Sequence, residues 1–238
     1  MPNHIHTIPV LDALKEPQHC AFCVMHQQLE QAAIQFILGP AYMEDDIRMD
    51  TNQVGFCAAH MSAMYIQQNR LGLALMLHTH LQLLNKEIEK KLKPTKPSPL
   101  FGKDTQGPLA TVYTHLDKTL GTCYVCTKVE STFVRYIDTF LHLWAKGGED
   151  SKLILSQKGY CLPHFVQLIG AASKLGRSKR EKFIAEIATP QLAHMKELES
   201  DLEWFTLKFD HRNANEPWKN AKDALPRTLD MFGSCKGE

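Results

Sequence analysis

Six of the seven cysteines in this 238-residue chain fall into pairs with the spacing of metal ligands. Cys20-x2-Cys23 is followed 34 residues later by Cys57-x2-His60. The pattern then recurs, with Cys123-x2-Cys126 followed 35 residues later by Cys161-x2-His164. The lead-ins match as well: Gly55-Phe56-Cys57-Ala58-Ala59-His60 against Gly159-Tyr160-Cys161-Leu162-Pro163-His164. Three thiolates and one imidazole are the donors a tetrahedral zinc ion takes in a closed, structural site. Paired in chain order, the ligands form one Cys3His set from Cys20, Cys23, Cys57 and His60 and another from Cys123, Cys126, Cys161 and His164. Two Zn2+ ions are therefore expected. An iron–sulfur cluster accepts similar ligands, and a C-x2-C pair can also serve thiol–disulfide or metal-delivery chemistry. Against redox use, neither pair sits in a βαβ pattern and each has a distant C-x2-H to complete it. His19 and His26 lie near enough in sequence to replace a ligand, though outer positions suit them better. Cys235, between Gly233 and Gly237, reads as an exposed thiol.

Such ligands need rigid elements, and the chain supplies helices. Apolar residues recur at helical intervals from Val24 to Leu38, and the pattern stops at Gly39-Pro40. A second helix is expected over Tyr42 to Asp50, and one long helix from Cys57 to Leu92, ending at Lys90, Lys91 and Lys93 before Pro94. The second half repeats the plan. Helices are expected from Cys126 to Lys146, over a short stretch before Gly159, from Leu162 to Leu175, and from Ser178 to Asp210 with a bend at Pro190. No stretch alternates with a period of two. The expected fold is all-α, as two tandem helical units each with its own Cys3His clamp, plus a C-terminal extension. Their bounds are residues 1–92, a Pro- and Gly-rich linker at 93–108, 109–215, and a strap at 216–238. In each unit the ion would clamp the starts of two helices.

Charge is nearly balanced, with 27 Lys and Arg against 26 Asp and Glu, so no general nucleic-acid or anionic-membrane signal arises. No apolar run reaches the roughly 18 residues that span a bilayer. Met1 to Glu16 lacks the basic and apolar regions of a secretory signal, and seven cysteines then fit a reducing cytoplasm.

Where the two halves differ, a ligand site is the candidate. Glu44, Asp46, Arg48, Asp50 and Asn52 form a polar stretch with no counterpart in the second half. Asp46 and Asp50 lie one helical turn apart, where they could share a cation. The bland alternative is a solvated helix face. Near the C-terminus, Asp210, Arg212, Asn213 and Trp218 belong to a segment too aromatic for a free tail. With Arg70 these residues are expected to form one polar pocket, or else the segment is a stabilising strap. No nucleotide loop, nucleophile elbow or HExxH helix is present. A binding or adaptor module for a protein or small molecule, an iron–sulfur or thiol redox protein, and a metal-dependent enzyme using Asp46, Asp50 and Arg48 all stay open.

Tyr42-Met43-Glu44-Asp45-Asp46-Ile47-Arg48, Gly55-Phe56-Cys57 with His60, and Asn69-Arg70-Leu71-Gly72-Leu73-Ala74 resemble a bacterial family, domain of unknown function 6062. The ending, with Lys208-Phe209-Asp210-His211-Arg212-Asn213, Glu216-Pro217-Trp218 and Asp223-Ala224-Leu225-Pro226-Arg227, is similar to that family's C-terminal signature. The family is met mostly in anaerobic Firmicutes. The resemblance implies a cytosolic bacterial protein with paired Cys motifs, and no established activity.

Overall fold

In the computed structural model, residues 4–16, 20–93 and 108–233 are described, and among them every regular element is helical. Among the described residues there are eleven α-helices: α1 (Thr7–Lys15), α2 (Ala21–Leu38), α3 (Asp45–Val54), α4 (Ala58–Ile66), α5 (Arg70–Leu92), α6 (Pro108–Leu120), α7 (Tyr124–Lys146), α8 (Gly148–Leu155), α9 (Leu162–Ala171), α10 (Arg177–Leu207) and α11 (Ala224–Met231). None of the described helices is long and apolar enough to cross a membrane. The linker expected at 93–108 lies almost wholly outside the described residues, as do His19 and Cys235.

Several helices follow the expected bounds, and the differences have local causes. The expected single helix from Cys57 to Leu92 is two, broken at Gln67–Asn69. Asn69 begins a new helix there: its side-chain oxygen accepts from Gly72 N at 2.9 Å, and its amide donates to the Leu38 carbonyl at 2.6 Å. An Asn at this position satisfies one of the four orphan amides of a helix start. The helix expected over Tyr42 to Asp50 starts later, because Pro40–Met43 forms a 3-10 turn and Asp45 and Asp46 occupy the first turn of α3. There their charge opposes the positive end of the helix dipole. Helices α1, α6 and α11 were not expected. α10 continues through Pro190 from Arg177 to Leu207.

The helices gather into two contact units, and these are not the two sequential halves expected around residues 93–108. One unit combines Met1–Gln27 with Phe133–Glu238; the other is the continuous stretch Gln28–Thr132. The boundaries fall inside α2 and α7, so each of these helices contributes residues to both units.

The split unit is built on aromatic packing. Phe22, from the first turn of α2, lies 6.0 Å from Phe133, 5.0 Å from Phe140 and 5.5 Å from Tyr160, and all four are buried. Phe183 extends the cluster to Trp144, whose indole donates to Glu186 at 2.8 Å. The continuous unit has a mostly aliphatic core from Ile34, Ile37, Leu38, Met64, Leu73, Met76, Val125 and Val129, with Phe56 among them.

The C-terminal strap is fixed to α10 by a buried lysine. Lys208 is only 8% exposed, and its ammonium donates to the carbonyls of Asn213 (2.6 Å), Ala214 (3.0 Å) and Glu216 (2.6 Å). An ammonium has three donors, so all are used. The Trp218 ring lies 5.3 Å from the same nitrogen, and the Trp204 indole donates to Pro217 O at 3.0 Å. Lys208→Met keeps the stem and strands three carbonyls. Hydrogen bonds to a charged group are each worth about 1.5–3 kcal/mol, so a net loss of about 3 kcal/mol is expected. Thermal unfolding of the variant should read this as a fall of roughly 10 °C.

Candidate metal centres and an adjoining cavity

All eight ligands read from the sequence converge, but with partners exchanged. Cys20 and Cys23 meet Cys161 and His164, while Cys57 and His60 meet Cys123 and Cys126. The expected pairing within each half is thereby corrected. The first group lies wholly in the split unit and the second wholly in the continuous one. The idea of clamped helix starts survives the exchange. Cys161 and Cys57 are the N-cap residues of α9 and α4, with His164 and His60 one turn on. Cys20 and Cys23 flank the start of α2, as Cys123 and Cys126 flank that of α7.

In both groups the four donor atoms lie within 4.8 Å of one another. His164 Nδ1 is 3.7 Å from Cys20 Sγ, 3.4 Å from Cys23 Sγ and 3.0 Å from Cys161 Sγ, and the Cys23 and Cys161 sulfurs are 3.5 Å apart. His60 Nδ1 is 3.2 Å from Cys57 Sγ and 3.3 Å from the sulfurs of Cys123 and Cys126, and Cys57 to Cys126 is 3.9 Å. None of the six cysteines is in a disulfide. Bonds of about 2.3 Å to sulfur and 2.0 Å to nitrogen put tetrahedral neighbours roughly 3.5–3.8 Å apart, so these donors suit one central ion.

Protons are shared unevenly in such crowded thiols. Hydrogen bonds from Cys161 and Cys23 hold Cys20 down to about 3, while hydrogen bonding to Cys161 and Cys20, with burial, pushes Cys23 well up. Cys126 is pushed up to about 12 by burial and its bond to Cys123. For Cys57 burial acts upward, but hydrogen bonding to His60 and Cys123 wins and leaves it at about 7. Three thiolates cannot share so small a space unless a cation offsets them. A bound divalent ion would do so and deprotonate all three.

A carboxylate that sequence spacing did not single out completes the second group. Glu30 Oε1 accepts from His60 Nε2–H at 2.8 Å, which leaves the Nδ1 lone pair for the metal. Glu30 sits on α2, and no short motif links it to His60. Glu30→Ala should weaken metal binding at this group by about 10- to 100-fold, measured by competition with a chromophoric chelator. Cys20, Cys23, Cys161 and His164 should keep their affinity. His164 is instead set among rings, 5.9 Å from Phe22 and 5.3 Å from Phe133.

The glycines of the two lead-ins are explained by close approach of a side chain. Gly55 has φ +67°, and a Cβ there would lie 2.7 Å from His80 Nε2. His80, ordinary by its sequence setting, donates through Nδ1 to the Asn52 carbonyl at 2.6 Å and so holds the turn before Cys57. At Gly159 a Cβ would lie 2.9 Å from Gln191 Oε1. Gln191 is fully buried; it accepts from Tyr160 N at 2.7 Å and donates to Tyr160 O at 3.0 Å, fixing the residue before Cys161.

The polar candidates divide between the units. In the continuous unit Glu44, just before α3, and Asp46 and Asp50 on it are exposed, with Asp46 accepting from Ile47 N at 2.8 Å. Burial, then the charges of Asp50 and Asp46, push the Tyr124 phenol up. Arg48 reaches Thr79 Oγ1 at 3.3 Å, Arg70 lies over the Tyr65 ring at 4.9 Å, and the Asn52 side-chain oxygen is buried without a partner. In the split unit Asp210 is bonded through both oxygens to Arg212, which holds its carboxyl below the usual range. The Asn213 side chain donates to Leu207 O at 2.9 Å, and Trp218 packs on Phe205 at 6.0 Å. Those four residues shape the strap.

Sequence reasoning missed a cavity of about 550 Å³ in the split unit, beside the first metal group. Its wall includes Cys20, Cys161, Lys158, Tyr160, His194 and Arg227. The Tyr160 hydroxyl and His194 Nδ1 are buried and unpartnered. Burial holds the His194 imidazole below its ordinary pKa, aided by Lys158 and Arg227 and opposed by Glu197. The one sequence signal here is Tyr160 itself, which stands where the other lead-in has Phe56.

A family model matches residues 1–237, and its description is a family of unknown function, DUF6062. No curated protein and no solved structure matches the chain.

Proposed function

The chain belongs to the DUF6062 family, and we propose that it is a zinc-stabilised helical binding protein with one structural Zn2+ in each Cys3His group. The observation that carries this reading is the packing of four donors around a single point, twice, with contacts of 3.0–3.9 Å. A multi-iron cluster would attach its thiolates to different irons and hold them farther apart. A borderline-soft ion without a redox couple, indifferent to all but tetrahedral room, suits three sulfurs and one nitrogen. Four protein donors fill the coordination sphere and leave no position for a catalytic water. The metals then serve the scaffold, and recognition of a small molecule or protein falls to surfaces it carries, including the exposed acids of α3. Protein purified without oxygen should be colourless and contain about two zinc per chain, as two filled sets require. Stoichiometric iron, with a brown colour absorbing near about 400 nm, would replace this reading by an iron–sulfur one.

A further inference from the structure

We infer that Cys126 is a modification site, the thiolate through which a peroxide oxidises the second metal group to a Cys57–Cys126 disulfide and expels its zinc. The inference rests on the zinc reading above and divides the two ions by role: the first only holds structure, and the second also answers to oxidants. A thiolate is both the metal ligand and the nucleophilic form of cysteine, and exposure decides which thiolate a reagent meets. The two groups differ in that respect. In the second, Cys126 is exposed and Cys57 half-buried, while Cys123 and His60 are buried. The 3.9 Å contact between the Cys57 and Cys126 sulfurs is itself exposed. In the first group no ligand residue is exposed, and the contacts of His164 with Cys20, Cys23 and Cys161 are partly buried. Phe22 and Phe133, both buried, pack on His164 there.

Which sulfur joins Cys126 follows from what holds the other two. Cys123 is 4% exposed and belongs to the core with Val125 and Val129, so drawing it outward disturbs packing. Cys57 is the N-cap of α4 at the edge of that core, and it has only to close 3.9 Å to the roughly 2.05 Å of an S–S bond. In the first step the Cys126 thiolate attacks one peroxide oxygen, the O–O bond breaks, and hydroxide leaves a sulfenic acid on Cys126. The Cys57 thiolate then attacks that sulfur; the S–S bond forms, the S–O bond breaks, and a second hydroxide departs. Two electrons pass from the two sulfurs to the peroxide, and two protons from the buffer turn both hydroxides into water. Cys123 and His60 remain, half of the four donors a closed zinc site requires, and the ion leaves.

The test uses the full-length protein carrying two zinc, with hydrogen peroxide added in small excess. A chromophoric chelator follows zinc release, and peptide mapping by mass spectrometry follows the thiols. One zinc should leave at least about tenfold faster than the other, with Cys57 and Cys126 joined and Cys20, Cys23 and Cys161 still reduced. Amide protection should fall in 28–132 and hold in α8 to α11, and dithiothreitol with added zinc should restore it. Without peroxide, a brief pulse of iodoacetamide should label Cys126 before the other five ligand cysteines. The inference is overturned if both ions leave together, if Cys20 or Cys161 is oxidised first through the adjoining cavity, if the disulfide is Cys123–Cys126, or if iodoacetamide spares Cys126. Two zinc at the start and no release under peroxide would sink the reactive site alone. A starting count near zero would sink the zinc reading, and this inference with it.

Discussion

Residues 28–132 expressed alone should take up one zinc and fold, whereas residues 1–93 should do neither. The second fragment holds Cys20, Cys23, Cys57 and His60, a full Cys3His set by composition. Its four ligands nevertheless belong to two different groups, and each lacks its partners. The first fragment contains Cys57, His60, Cys123 and Cys126, the hydrogen-bonded Glu30, and the aliphatic core from Ile34 to Val129. Zinc titration followed by circular dichroism gives the result for both. Metal-dependent helix in the 1–93 fragment with one tightly bound zinc would restore pairing within each half. The expected contrast is all-or-none, because binding at a site absent from the unfolded chain is itself folding free energy.

Cys161→Ala should unfold the split unit and leave the continuous one intact. The substitution removes the ligand bonded to both Cys23 and His164. Structural zinc in small modules contributes on the order of 10 kcal/mol, comparable to the whole 5–15 kcal/mol stability of a typical domain. The aromatic cluster around Phe22 cannot absorb such a loss, since Phe22 lies between two of the ligands in sequence and Tyr160 adjoins a third. The variant should carry one zinc per chain. Amide exchange should show protection kept in 28–132 and lost in α8 to α11. Uniform loss, or two zinc retained, would contradict the assignment of ligands to units.

All eight ligands were legible in the sequence, because C-x2-C and C-x2-H spacings read directly onto helix starts. The pairing was not. Chain order favours near partners, yet that preference is weak. Cys23 meets Cys161 across 138 residues instead of Cys57 across 34, two doublings of loop length worth only about 1.2 kcal/mol. The contacts of Phe22 with Tyr160 and His164, and the core that Met64 shares with Val125 and Val129, easily outweigh that, and such packing has no short motif. Asn69 caps α5 in the middle of an otherwise continuous apolar periodicity, so the break between α4 and α5 leaves little trace in the pattern of residues. Lys208 and Trp218 carried a visible signal of a docked strap. The cavity carried almost none, because Lys158, Tyr160, His194 and Arg227 are spread over 70 residues and come from the segment before α9, from α10 and from α11.

The exchange of partners also sets a timetable for a chain made from its N-terminus. Cys57 and His60 find their group complete as soon as Cys126 has been synthesised. Cys20 and Cys23 are made first, yet must wait for Cys161 and His164. During that wait, the non-native foursome of Cys20, Cys23, Cys57 and His60 is the earliest complete zinc-binding set on offer. A nascent chain meeting zinc too soon can therefore be caught with the wrong ligands, and must release the ion before either helix pair can form. On the zinc reading, the same crossed ligands that tie distant segments together would make the order of metal loading part of how this protein reaches its fold.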